Sequence, residues 1–128
     1  MEENLNEIRN NALIEIKSWN GFKIPFNESL IVTNNKEVFR YYKYKRESKF
    51  FTENNIKMED LYLVKKISDD NFKKITKYIE EKLVGKDFET VLVRDHGSTI
   101  NINYLDSVIS IKNNNEINSE LRNLIKEM

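Results

Sequence analysis

The connections between the β-like stretches of this chain are too short for parallel pairing. Ser29–Thr33 and Val38–Arg46 are rich in β-branched and aromatic residues and meet at Asn34-Asn35-Lys36. Thr99–Tyr104 and Val108–Lys112 meet at Leu105-Asp106-Ser107, and Asp95-His96-Gly97-Ser98 leads into them from Phe88–Arg94. A parallel crossover takes about a dozen residues or more, whereas antiparallel strands join through tight turns. Asn tolerates positive φ, which suits such turns. Ile100, Ile102 and Tyr104 alternate with Asn101 and Asn103, so one face of that strand is buried and the other wet. Leu61–Ile67 is apolar and compatible with a strand or a helix. Phe22–Phe26, beside the single proline, is an edge piece at best, and Lys49–Thr52 is a short strand candidate that would pair next after Val38–Arg46.

Helical spacing appears three times. Leu5, Ile8, Ala12, Ile16 and Trp19 recur at three and four residues, and Asn20-Gly21 offers a left-handed stop. Phe72, Ile75, Ile79 and Leu83 form a second stripe. Ser68 or Asp69 caps it, Asp69 and Asp70 suit its positive end, and Gly85 closes it. Ile117, Leu121, Leu124, Ile125 and Met128 form a third, from about residue 115 to the last residue. At 128 residues the chain matches one domain and can bury a core without metal or disulfide. We expect a single α+β domain over residues 1–128. Its sheet is an antiparallel meander, and about three helices (N-terminal, central and C-terminal) pack mainly on one face.

Composition narrows the chemistry. Basic and acidic residues balance at 21 each, so no global field draws the chain to nucleic acid or to an anionic membrane. The balance is uneven along the chain. Residues 36–57 hold seven bases against three acids, while the segments on either side are mildly acidic. There is no cysteine, which removes disulfides, thiolate zinc sites and a cysteine nucleophile. The start, Met1-Glu2-Glu3-Asn4, is not a signal-peptide pattern. No stretch approaches the roughly 20 apolar residues of a membrane helix. We expect a cytoplasmic protein. Asn, Lys and Ile, at 18, 16 and 15 copies, share AT-rich codons, which points to a low-GC bacterial or phage genome rather than to a prion-like tract, since the asparagines are dispersed.

Candidate sites are few. Val38–Arg46 packs four aromatics and four cations into one strand. Phe39, Tyr41, Lys43 and Lys45 share one face; Val38, Arg40, Tyr42, Tyr44 and Arg46 share the other. Tyr and Arg are enriched in binding hot spots, so Arg40, Tyr42, Lys43, Tyr44 and Arg46 are the candidate partner-binding set. A plainer account has lysines snorkelling over tyrosines that cover the sheet. The turn Arg94, Asp95 and His96, with Gly97 and Ser98, holds the sole histidine and is a secondary candidate. Triad members meet through tertiary geometry rather than adjacency, so it does not read as catalytic. One histidine and no cysteine give no metal-ligand set, and three glycines build no phosphate-cradling loop. We expect no cofactor, no metal and no membrane.

These features favour a small non-enzymatic protein that binds and inhibits another protein, in the manner of a bacterial toxin-immunity protein. A phage-encoded inhibitor of a host defence system fits the same features. A single-stranded nucleic-acid binder would use the same strand for stacking and phosphate contacts. A small enzyme or ligand-binding module would instead line a pocket between sheet and helices with Tyr41, Arg94 and His96.

Overall fold

A computed structural model describes residues 2–20, 26–44, 52–53, 55, 57, 59–88 and 96–126. Among them are six strands in one antiparallel sheet and three helices, an α+β domain. The strands are β1 (Ala12–Asn20), β2 (Phe26–Thr33), β3 (Glu37–Tyr44), β4 (Glu59–Lys66), β5 (His96–Tyr104) and β6 (Ser107–Lys112). Their order across the sheet is β4-β3-β2-β1-β5-β6. The first four form a continuous meander, and the β5–β6 hairpin docks against β1. The helices are α1 (Glu2–Asn10), α2 (Asp69–Tyr78) and α3 (Asn115–Lys126). No described helix is long and apolar enough to cross a membrane.

The N-terminal helix is shorter than its spacing predicts. It stops at Asn10, and residues 12–20 become the central strand β1. Leu-Ile-Glu-Ile-Lys-Ser-Trp satisfies both periods over a short window. Strand geometry wins because Ile14 and Ile16 then lie on one face opposite Leu30 and Val32. All four are buried, and burying each such side chain stabilises by about 1.5–3 kcal/mol.

The main core lies between the sheet and two helices. Ile14, Ile16, Leu30, Val32, Val38, Ile100, Ile102 and Ile111 meet Ile75, Ile79 and Leu83 from the α2 segment and Leu121 and Ile125 from α3. The expected cap at Ser68 is present, and α3 has one not anticipated from the sequence. Ser68 Oγ accepts from the Asn71 amide at 3.2 Å, and Asn114 Oδ1 accepts from the Ile117 amide at 3.1 Å. α2 runs on into a π turn, Ile79–Leu83, in which the Val84 amide donates to the Ile79 carbonyl at 2.9 Å. The wider turn counters the drift of an i, i+4 stripe and keeps Leu83 against the sheet. Gly85 then takes φ 73°, the left-handed stop.

The helices do not share one face. α2 and α3 cover the main core, while α1 lies on the opposite side of the sheet. There Leu5 and Ile8 pack with Ala12, Ile31, Phe39, Tyr41 and Leu61. The 96–98 segment is not a turn either, since His96, Gly97 and Ser98 pair with Asn20, Trp19 and Ser18 as the first residues of β5. In the β2–β3 turn it is Lys36, rather than Asn34 or Asn35, that adopts positive φ. Of the expected strand pieces at 22–26, 49–52 and 88–94, residues 22–25, 49–51 and 89–94 lie outside the described residues; Phe26 is the first residue of β2, and Thr52 and Phe88 are not in a strand.

Candidate functional site

β3 is covered on both sides, which changes the meaning of its aromatic-cationic run. Tyr41 faces α1 and Tyr42 faces α3, and both are buried, Tyr42 to 7% exposure. The expectation of a wet Tyr42 is therefore corrected: β3 is second from the sheet edge, flanked by β2 and β4. Lys43 is exposed, but alternation puts it on the α1 side, away from Arg40. For Tyr44 only the backbone, paired with Phe26, is described. Arg46 lies outside the described residues. Of the five predicted residues, the three whose side chains are described, Arg40, Tyr42 and Lys43, do not form one contact surface.

On the α3 side, Arg40 lines a 510 Å³ groove between the β3–β4 edge and the C-terminal half of α3. Val64, Lys65, Arg122, Ile125 and Lys126 are among its other walls. Four of the described lining residues are cations and none is acidic. Arg122 is committed: it donates to Asn118 Oδ1 at 2.7 Å, Ser18 Oγ at 3.0 Å and Glu28 Oε1 at 3.1 Å. Lys65 Nζ donates to the Ile125 carbonyl at 2.8 Å, at the negative end of the helix. Arg40 is not saturated. Its Nη1 donates to the Tyr42 hydroxyl at 3.3 Å, while its buried Nε has no acceptor among the described residues. Such a donor costs about 1–3 kcal/mol when left unpaired. Tyr42 also stacks on Tyr62, with centroids 6.4 Å apart and planes at 26°. Burial first, and Tyr42 next, hold the Tyr62 phenol above its usual pKa, so it stays a neutral donor.

The groove opens onto β4, the outermost strand on this side of the sheet. Tyr62 and Val64 are 39% and 41% exposed there, while Leu63, paired with Phe39, turns to the α1 side. A bulge shifts the register here, since Lys65 pairs with Val38 but Leu63 with Phe39. Bulges and lysines both blunt an edge against strand addition. The edge therefore offers side chains rather than a free backbone ladder.

A second concavity, of 590 Å³, lies on the α1 side. Its floor is internally satisfied. Arg9 Nε donates to Glu15 Oε2 at 3.0 Å, the Arg9 guanidinium sits 5.9 Å from the Tyr41 ring centroid, and the Tyr41 hydroxyl donates to Glu59 at 2.7 Å. Glu15 can be buried on a strand because Arg9 neutralises it. Trp19, Lys17, Lys43 and Thr99 line the rest of the cleft. Tyr41 is therefore in a cleft as expected. His96 is placed only by its backbone pairing with Asn20, and Arg94 and Asp95 lie outside the described residues. Among the described residues no cluster of His, Asp and Glu could hold a metal ion.

Arg9, Glu15, Trp19, Tyr62 and Arg122 are absent from the sequence-based set. Only Trp19 had a visible signal, the alternation of Glu15, Lys17 and Trp19 against Ile14, Ile16 and Ser18.

The fold and its grooves define a class no narrower than a single α+β domain built on a six-stranded antiparallel sheet. No protein-family model, curated protein or solved structure matches the chain.

Proposed function

We propose that this protein acts without catalysis, by binding an acidic surface of another protein in the groove between the β3–β4 edge and α3. The observation that carries the reading is the Arg40 guanidinium, held by Tyr42 yet lacking an acceptor at Nε among the described residues. Nε itself is sealed from solvent, so a partner carboxylate would accept from the rest of this half-buried guanidinium, for which the Tyr42 hydroxyl is the one acceptor among the described residues. Tyr62 and Val64 supply apolar contact beside it, and a lining with four cations and no acid among its described residues favours a negatively charged partner. Tyr42 is a support for Arg40 and Tyr62 rather than a contact. Within this class, an immunity protein that blocks a toxin, or a phage inhibitor that blocks a host defence enzyme, would act by covering the target's working surface.

The test is comparative affinity capture from the native host, with the wild-type protein and Arg40→Glu as baits. A protein retained by the wild type and lost by the variant supports the reading. Identical captures from the two baits, with the variant folded by circular dichroism, refute it.

A further inference from the structure

The opposite face of the sheet has a different chemistry. Lys17 and Trp19 of β1, Lys43 of β3, Thr99 of β5 and Lys112 of β6 project to the side that α1 only partly covers. Cross-strand register sets their spacing. Lys43 opposes Asn27, which opposes Trp19, so the lysine and the indole stand two interstrand spacings apart, about 10 Å. Lys17 opposes Thr99, which opposes Lys112, giving about 10 Å again. Lys17, Lys43 and Lys112 are exposed and form no ion pair with a described residue. The acids that line or floor the cleft are engaged, Glu15 by Arg9, Glu28 by Arg122 and Glu59 by the Tyr41 hydroxyl.

Trp19 sits among these lysines as a flat surface. Its benzo ring lies against Gly97, where a Cβ would overlap it, and the side chain remains 36% exposed. A flat aromatic backed by glycine, with cations about 10 Å away on its own sheet face, meets the two needs of a nucleic-acid strand: a stacking platform and phosphate partners. The 590 Å³ cleft beside Trp19 has room for an unstacked base. We propose that this face binds single-stranded nucleic acid, with a base on Trp19 and phosphates against Lys17, Lys43 and Lys112. Zero net charge does not oppose this, because the relevant field is that of three nearby lysines. The site shares no residue with the Arg40 groove and lies across the sheet from it, so the two fail independently.

Trp19 is the only tryptophan, so its emission reports on the site alone. The intact protein is titrated with an oligothymidylate of about ten nucleotides, within the usual range of site sizes, at low salt. The expected result is saturable quenching. With three phosphates engaged, log affinity should fall against log salt with a slope of about −2. Lys17→Glu combined with Lys43→Glu should weaken binding at least tenfold, while Arg40→Glu should leave it unchanged. Absence of both quenching and a mobility shift at low salt overturns the proposal, as does quenching indifferent to the double charge reversal. Thymidine monophosphate binding as tightly as the oligomer also overturns it, since the site would then be one for a mononucleotide.

Discussion

Trp19 and Gly97 face each other across β1 and β5, and the indole occupies the space a side chain at position 97 would need. The glycine is therefore set by a close approach within the sheet, not by a turn. Gly97→Ala forces the indole to move. It should cost about 1–3 kcal/mol, the usual range for overpacking, read from denaturant midpoints. Trp19 emission should shift with it. In Trp19→Ala the same glycine substitution should cost much less.

Arg122 ties the C-terminal helix to two strands. It bonds Ser18 on β1 and Glu28 on β2 while Asn118 steadies it from within α3. Arg122→Ala leaves the Glu28 carboxylate, mostly shielded from water, without its cation. We expect a loss of about 1–3 kcal/mol in chemical unfolding. Arg122→Lys should recover only part of it, because a single ammonium cannot reproduce the guanidinium fork.

Two phenols make stability sensitive to alkali. Burial, then the bond to the Glu120 carboxylate, holds Tyr78 well above its usual value of 10.0. The bond to the Glu80 carboxylate, then burial, raises Tyr104 as well. Both groups hold their protons more tightly folded than unfolded. The stability they supply is therefore complete below pH 10 and drains away as pH rises through their higher folded values. Midpoints for urea unfolding should fall above about pH 10, and Tyr78→Phe should flatten that decline.

Much of the fold was legible because its signals are local. The Ser68 cap, the Phe72–Leu83 stripe, the 105–107 turn and the Ile100–Tyr104 alternation each depend on near neighbours in the chain. The misassigned parts depended on distant ones. Ala12–Asn20 fits a helix until Leu30, Val32, Ile100 and Ile102 flank it, which only tertiary pairing provides. Tyr42 looks like a surface aromatic until β4 and Tyr62 close over the strand's neighbourhood. Arg40 was recognisable as a candidate from its place among tyrosines. Its unpaired Nε was not, since that follows from what the fold fails to bring near it.

The claim on which this account turns is that Arg40 is a contact. The most direct measurement is calorimetric titration of the purified captured partner against the wild type and Arg40→Glu. The prediction is a loss of at least tenfold in affinity, about 1.4 kcal/mol or more, with the variant's unfolding midpoint not lowered. Equal affinities for the two proteins would contradict it.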